Sequence, residues 1–227
     1  MKALVLEKKL ELNLRDIDLP NKVGLNDVKI KMHTVGICGS DIHYYEYGKI
    51  GQWNVNTPMV LGHEGSGTII DVGADEKNLK VGDRVCIEPQ IVSKSTKEYK
   101  LGIYNYDQEV KFWATPPIHG CLTPEVVFPS DMVFKIPDNL SYAEGAMVEP
   151  LAVGMQGVTK AKIKPGQIGL VMGCGPIGLV TALAALAGGC AKVYIADILS
   201  EKLKMCNYYP DLIPVDLSKE NLETKIM

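Results

Sequence analysis

The sequence lacks the features that mark membrane-spanning, secreted and nucleic-acid-binding chains. No segment approaches about 18 uninterrupted apolar residues, and charges interrupt the apolar residues of the N-terminus, so neither a membrane span nor a signal peptide is expected. The formal net charge is -3 and lysine and arginine form no run, which argues against nucleic acid and anionic membranes as partners. The composition is that of an ordinary globular protein, which we expect in the cytoplasm.

Closely spaced cysteines are also absent. The six cysteines lie at positions 38, 86, 121, 174, 190 and 206, and no Cys-x-x-Cys occurs. Four of them fall in strand, turn or helix contexts typical of reduced cytosolic enzymes, so we expect free thiols rather than three disulfides.

A candidate metal site lies in residues 62–73. His63 and Glu64 are adjacent there, among three glycines and directly before a β-branched strand. Neighbouring side chains of a regular strand point to opposite faces, so both can meet one ion only where the backbone is irregular, which glycine permits. Cys38 offers a soft third ligand, and catalytic zinc usually has three protein ligands and an open fourth position. Taken singly, the cysteine is more simply a core residue and the His-Glu pair a surface ion pair.

A second signal lies downstream, in residues 173–178 with the sequence Gly-Cys-Gly-Pro-Ile-Gly. It follows a predicted strand, 168–172, and opens a predicted helix, 177–187, and a further strand is expected at 192–196. This βαβ pattern is typical of a dinucleotide-binding turn, whose glycines admit the pyrophosphate over the helix N-terminus. Asp197 ends the next strand, 19 positions beyond Gly178. An acidic residue there binds the adenosine ribose and repels a 2′-phosphate, which favours NAD over NADP.

The rest of the chain predicts two kinds of architecture. Up to about Pro137, short alternating segments separated by Gly, Pro, Asn and Asp predict irregular antiparallel β structure. The capping box 141–144 predicts a helix from about 142, with a break near Glu149 and a restart at Pro150. After Asp197 we expect a short helix from about Ser200, a strand at 212–215 and a helix from near Ser218.

The order of four segments resembles the zinc-dependent medium-chain alcohol dehydrogenases. The segments are 36–41, 62–65, 149–151 and the glycine turn, and residues 43–48 and 114–117, with Glu64 beside His63, are most similar to the polyol branch of sorbitol and xylitol dehydrogenases. The resemblance implies two domains: a zinc-binding, GroES-like irregular β-barrel over residues 1–155, followed over 156–227 by the first half of a Rossmann doubly wound parallel sheet. Members of that family are considerably longer, so we expect the second half to be missing from this chain.

The resemblance also implies the site residues. One catalytic zinc is expected at Cys38, His63 and Glu64, and no structural zinc, because residues 91–107 contain no cysteine. One thiolate and one carboxylate already neutralise Zn²⁺, so Glu149 is expected to hold the water at the open metal position, with direct ligation or a helix-dipole role as alternatives.

Further roles follow for the proton path, the substrate and the cofactor. Ser40 is the expected first member of a proton path and His43 the second, although Ser40 can equally be a helix cap. The expected substrate-lining residues are Tyr44, Phe112 and Thr115. The expected cofactor-binding residues are Gly173, Gly175, Pro176, Ile177, Gly178, Asp197 and Lys202.

The resemblance implies an enzyme that transfers hydride from a secondary hydroxyl of a polyol such as xylitol or sorbitol to NAD. When full length, it is expected to be a homo-oligomer, a dimer or tetramer. Two alternatives stay open: a truncated fragment without catalytic competence, and a dehydrogenase for a vicinal diol or a threonine-like secondary alcohol.

Overall fold

The computed structural model describes residues 1–226 and consists of two compact units. The first unit is Met1–Val148 and the second begins at Glu149. The domain boundary predicted after residue 155 falls within the long helix that opens the second unit. Within the described residues, no helix is both long and apolar enough to cross a membrane.

The first unit is built mainly from antiparallel β structure. A five-stranded sheet has the order β11-β3-β7-β8-β12, and a three-stranded sheet has the order β2-β1-β6, while β4 pairs with β5 and β9 with β10. The strands are β1 (Lys2–Lys8), β2 (Glu11–Asp16), β3 (Asp27–Gly36), β4 (Lys49–Ile50), β5 (Trp53–Asn54), β6 (Met59–Val60), β7 (Glu64–Val72), β8 (Arg84–Ile87), β9 (Gln90–Ile91), β10 (Lys111–Phe112), β11 (Glu125–Pro129) and β12 (Val133–Lys135).

The core of this unit lies under the five-stranded sheet. Val28 and Ile30 of β3 are buried, as their alternation with lysines predicts, and they cluster with Ile69, Val85 and Phe128 from neighbouring strands. The ring of Trp113 packs on that of Phe128, with centroids 4.3 Å apart.

The register of β3 and β7 brings the two predicted ligand segments together. Gly36, the last residue of β3, is paired with Glu64, the first residue of β7. The chain that leaves β3 towards Cys38 therefore lies beside the chain that brings His63 into β7. Two segments more than 20 residues apart in sequence meet because antiparallel strands place one strand's end beside its partner's beginning.

Three α-helices lie in the first unit: α1 (Gly39–Tyr47), α2 (Lys97–Lys100) and α3 (Tyr142–Ala146). Ser40 lies inside α1, so the alternative that made it a helix cap is wrong. Cys38 is the N-cap, and the Asp41 carboxylate accepts a hydrogen bond from the Cys38 amide at 3.0 Å. The capping box of α3 is confirmed. The polar segment 93–100, which shows no sequence periodicity, contains α2 with Thr96 as its cap.

The second unit contains a parallel sheet of order β13-β14-β15. Its elements are α4 (Val148–Ala161), β13 (Ile168–Met172), α5 (Pro176–Ala187), β14 (Lys192–Asp197), α6 (Ser200–Leu203), β15 (Leu212–Asp216) and α7 (Leu222–Ile226), and α4 contributes to this unit from Glu149 onward. The predicted βαβ unit is confirmed, and the break between α3 and α4 falls at Met147. Along the edge strand β13, Ile168, Leu170 and Met172 are exposed.

The last helix begins later than predicted. Ser218 does not start it, because its amide and hydroxyl both donate to the Asp216 carboxylate and hold residues 216–218 in a turn. The helix begins at Leu222, after Asn221, whose side chain accepts a hydrogen bond from the Thr224 amide at 3.1 Å. The rest of the predicted fold class, a GroES-like β unit followed by a parallel sheet, is as expected.

Candidate metal and dinucleotide site

The three predicted metal ligands come together in the first unit. A ligand atom of Cys38, one of His63 and one of Glu64 all lie within 4.8 Å of one another. His63 and Glu64 are buried, with 6% and 7% of their surface exposed, and Cys38 is half-buried. The backbone before β7 is irregular where the sequence requires it, because Gly62 has a φ of +86°. A Cβ on Gly62 would also meet Leu122 Cγ at 2.8 Å.

Gly36 leaves the space that the Glu64 carboxylate occupies. A Cβ added to Gly36 would lie 2.1 Å from Glu64 Oε2, well inside van der Waals contact. The two residues are cross-strand partners, so any larger residue at position 36 would displace the carboxylate. The position of the Glu64 carboxylate therefore depends on glycine at position 36.

The surroundings set the protonation of the cluster. A hydrogen bond with His63 lowers the pKa of the Cys38 thiol, and hydrogen bonds with Ser40 add to this effect against the cost of burial. Burial raises the pKa of Glu64, although the nearby His63 and the hydrogen bond with Cys38 oppose the rise. Zinc binds the deprotonated forms of both groups. The lowered pKa of Cys38 therefore favours zinc binding, whereas the buried Glu64 carboxyl is stabilised in its charged form only when a cation is close.

Asp41 supports the cluster, and the sequence analysis did not single it out. It is 2% exposed, and its two carboxylate oxygens accept hydrogen bonds from different segments. The Cys38 amide donates to Oδ2 at 3.0 Å, and the Gly62 amide donates to Oδ1 at 2.8 Å. One buried carboxylate thus holds the two ligand-bearing segments together. The sequence did contain a signal, since an acidic residue at the third position of a helix is typical of a capping box. It was not recognised because the N-cap residue here is a cysteine, Cys38.

A cavity of about 630 Å³ opens beside the cluster. His63 and four of the predicted residues line it, namely Ser40, Tyr44, Phe112 and Thr115. The Phe112 ring meets the His63 ring edge-on, with centroids 5.4 Å apart. Burial raises the pKa of the Tyr44 hydroxyl, which also hydrogen-bonds Thr115. These residues line a cavity that reaches the cluster at His63, where a substrate of a bound metal would lie.

The cavity has further lining residues that the sequence did not single out. They include Ile50 and Trp53 of the β4–β5 hairpin, Lys111, and Ile118. Strands of two residues are too short to show a period, so the hairpin gave no signal. The predicted residue His43 is not among the lining residues of this cavity. It is exposed on α1, and its ring packs with that of Tyr47 at 4.6 Å.

In the second unit, the glycine turn lies between β13 and α5, with Pro176 as the first residue of the helix and Ile177 as the second. Gly173 has a φ of +98°, which favours glycine. A Cβ on Gly178 would lie 1.8 Å from the Gly173 carbonyl oxygen, so the helix can approach the strand only with glycine there. Gly175 has an ordinary φ of -78°, and a Cβ there would have open space around it. Nothing within the described fold requires glycine at 175, which fits a ligand that approaches the backbone from outside.

Asp197 lies at the end of β14, as predicted, but its carboxylate is already engaged. It accepts a hydrogen bond from the Cys174 amide at 2.8 Å and another from the Leu199 amide at 2.9 Å. These two bonds hold its pKa below the ordinary value, and Lys202 contributes a smaller electrostatic effect. Asp197 therefore ties the glycine turn to the segment that follows β14.

Glu149 lies in the first turn of α4 and is half-buried. It belongs to the second unit and the three ligands belong to the first. Its predicted role at the metal stays a prediction.

Comparison with known proteins agrees with this geometry. The alcohol dehydrogenase GroES-like domain family matches residues 24–138. A D-xylulose reductase from Morganella morganii is 56% identical over 95% of this chain and 64% of its own length, and human sorbitol dehydrogenase is 42% identical over 96% and 61%. The structure of 2R,3R-butanediol dehydrogenase from Bacillus subtilis has a TM-score of 0.87 and 35% identity, covering 99% of this chain and 66% of that one.

The chain thus spans less than two thirds of the length of these two curated relatives. The thiol, imidazole and carboxylate donors fit zinc, and the glycine turn fits a dinucleotide. The chain belongs to the zinc-dependent medium-chain alcohol dehydrogenases, which use a nicotinamide cofactor, and it is similar to a D-xylulose reductase and a sorbitol dehydrogenase.

Proposed function

We propose that this chain provides the metal-binding unit and the adenosine side of the cofactor site of a polyol dehydrogenase. The enzyme would oxidise a secondary hydroxyl of a polyol such as xylitol or sorbitol to the ketone. The observation that carries the proposal is the Cys38, His63 and Glu64 cluster beside a cavity of about 630 Å³. Bound zinc would supply Lewis acidity to the substrate hydroxyl, and NAD would accept the hydride.

The residues around the cluster have definable tasks. Ser40 contacts the Cys38 sulfur through a hydrogen bond and lines the cavity, so its hydroxyl is placed to pass the substrate proton towards solvent. Tyr44 and Thr115 hydrogen-bond each other and offer oxygens to the hydroxyls of a polyol chain. Phe112 covers His63 and limits the access of water to the imidazole. His43, exposed on α1, can only be an outer member of a proton path.

Metal stoichiometry tests the first half of the proposal. Purified, zinc-loaded protein is expected to hold one zinc per chain, and Cys38→Ser is expected to lose most of it, since a serine hydroxyl is a poorer zinc ligand than a thiolate. Cys190→Ser is the matched control, because Cys190 lies in the second unit. Two tightly held zinc ions, or full zinc in Cys38→Ser, would overturn the assignment.

Glu149 is tested in the same way. If it holds the water at the open metal position, Glu149→Gln keeps most of the zinc and loses turnover in a protein that contains the complete cofactor domain. Loss of the metal itself would make Glu149 a ligand instead.

Steady-state kinetics test the substrate class and the cofactor. The panel is xylitol, sorbitol, 2R,3R-butanediol and threonine, each with NAD and with NADP, assayed on the protein that contains this chain. We expect the highest kcat/KM for a polyol with NAD. Butanediol is included because one similar structure is a butanediol dehydrogenase, and a clear preference for it would select the vicinal-diol alternative. Gel filtration of the same preparation tests the proposed dimer or tetramer.

A further inference from the structure

Two buried cysteines face each other behind the glycine turn. Cys174 Sγ and Cys206 Sγ are 4.0 Å apart, and the two residues are 5% and 2% exposed. Cys174 stands between Gly173 and Gly175, while Cys206 lies in the 3₁₀ turn 204–208 that follows α6. All six cysteines of the chain are free thiols in the structure. Among the described residues, these are the two cysteines whose sulfur atoms are in contact.

We propose that Cys174 and Cys206 form an oxidation site, at which a peroxide converts the two thiols into one disulfide. A disulfide needs a sulfur–sulfur distance of about 2.05 Å, so the two sulfurs must approach by about 2 Å in total. Rotation of two side chains can supply part of this distance, and the glycines beside Cys174 let the turn follow.

The reaction balances without a further reagent. The sulfur of Cys174, the more exposed of the two, attacks one oxygen of hydrogen peroxide, the O–O bond breaks, and a sulfenic acid and water result. The sulfur of Cys206 then attacks the sulfenic sulfur, and the hydroxyl leaves as a second water. The two thiol protons end in water, and the two electrons lost by the sulfurs reduce the peroxide.

The surroundings make the first step slow, and the short distance between the two sulfurs favours the second step over reaction with another thiol. Burial raises the pKa of Cys174, and burial with the neighbouring Cys174 raises the pKa of Cys206 to about 12, so little thiolate exists at neutral pH. Once a sulfenic acid forms, its resolving sulfur is already 4.0 Å away. The site is therefore a slow one, which responds to sustained rather than brief exposure.

The disulfide would act on the turn itself. The Cys174 thiol donates to the Lys202 carbonyl at 3.4 Å, and the Cys174 amide donates to Asp197 at 2.8 Å. Drawing Cys174 towards Cys206 breaks the first bond and pulls on the second. This consequence rests on the proposed cofactor site: the oxidised protein should bind NAD at least about threefold more weakly, and a thiol reductant should restore the affinity.

The test uses zinc-loaded protein, hydrogen peroxide and peptide mapping by mass spectrometry. Loss of activity is no readout, because peroxide is expected to oxidise the proposed metal ligand Cys38 as well. No lysine or arginine separates Cys174 from Cys190, so both fall in one tryptic peptide. The Cys190→Ala variant removes that ambiguity and is expected to give a Cys174–Cys206 linked peptide. Cys206→Ala is expected to give none.

Recovery of both cysteines as free thiols in wild-type protein, after peroxide has fully oxidised Cys38, would overturn the proposal whatever the variants do. So would a crosslink from Cys174 to any other cysteine. A crosslinked protein with unchanged NAD affinity would refute the effect on the turn. If the reduced protein binds no dinucleotide, the proposed cofactor site fails, and the crosslink result still stands by itself.

Discussion

Replacing Asp41 by asparagine should weaken the metal site without touching a ligand. The carboxylate is 2% exposed and accepts two amide hydrogen bonds, at 3.0 Å from Cys38 and at 2.8 Å from Gly62. Hydrogen bonds to a charged group contribute about 1.5 to 3 kcal/mol each. Asparagine keeps one acceptor, which is neutral, and turns an NH₂ group towards the other amide. We therefore expect a total cost of about 2 to 4 kcal/mol, from one weakened bond and one lost bond that leaves a donor facing a donor.

The free-energy cost of Asp41→Asn is divided between zinc binding and folding, and the prediction concerns the sum of the two losses. Chelator competition gives the zinc affinity, and urea unfolding of the metal-free protein gives its free energy of unfolding. If the segments separate, zinc affinity falls by about 30- to 1,000-fold, since 1.4 kcal/mol corresponds to tenfold. If they stay together, the metal-free protein loses the stability instead. Asp18→Asn, at an exposed position, is the control. Both quantities within about 0.5 kcal/mol of wild type would refute the reasoning, because that is the usual effect of a surface substitution.

Three further predictions follow from single contacts. Gly36→Ala should lower zinc affinity by at least about tenfold in chelator competition, because its Cβ would meet Glu64 Oε2. Gly39→Ala, whose Cβ meets nothing within 4 Å, is the control and should keep the affinity. Asp197→Ser should shift the ratio of kcat/KM values towards NADP and also weaken NAD binding, since the turn loses an acceptor; an unchanged ratio would count against the assignment. Burial lowers the pKa of His119, whose Nδ1 accepts a hydrogen bond from the Val60 amide. The stability contributed by neutral His119 should therefore be fully present above the unfolded pKa of about 6.5 and be lost as the pH falls through the lower folded pKa. Urea unfolding at several pH values measures this loss, and His119→Gln should lack it.

The residues of the cluster could be selected from sequence because each stands in a dense local pattern. Cys38, His63 and Glu64 lie among glycines, and the turn at 173–178 lies between two apolar segments that are typical of a buried strand and a buried helix. The contacts that connect such patterns could not be predicted. Asp41 reaches Gly62 only because β3 and β7 pair in one particular register, and no local signal specifies a pairing between distant strands.

The errors at helix starts have a related cause. Ser40 and Ser218 are both good capping residues by type, yet neither caps. Ser218 is held by the Asp216 carboxylate, and Cys38 takes the cap position because Asp41 can serve its amide. A side chain's preference for a cap is a local property, while the competing acceptor is fixed by the strand or helix next to it. The β4–β5 hairpin that carries Trp53 was missed because each of its strands has two residues.

The close approach at Gly178 limits how the dinucleotide turn can vary. Position 178 is closed to every side chain, since even a methyl group would overlap the Gly173 carbonyl, and position 173 has a backbone conformation that other residues resist. Position 175 is open as far as the protein is concerned, so a substitution there should fold normally and reveal its effect only when a ligand is offered. A library of turn variants would therefore separate into residues that fail to fold and residues that fold but fail to bind. Variants at positions 173 and 178 would fall in the first group, and variants at position 175 would fall in the second.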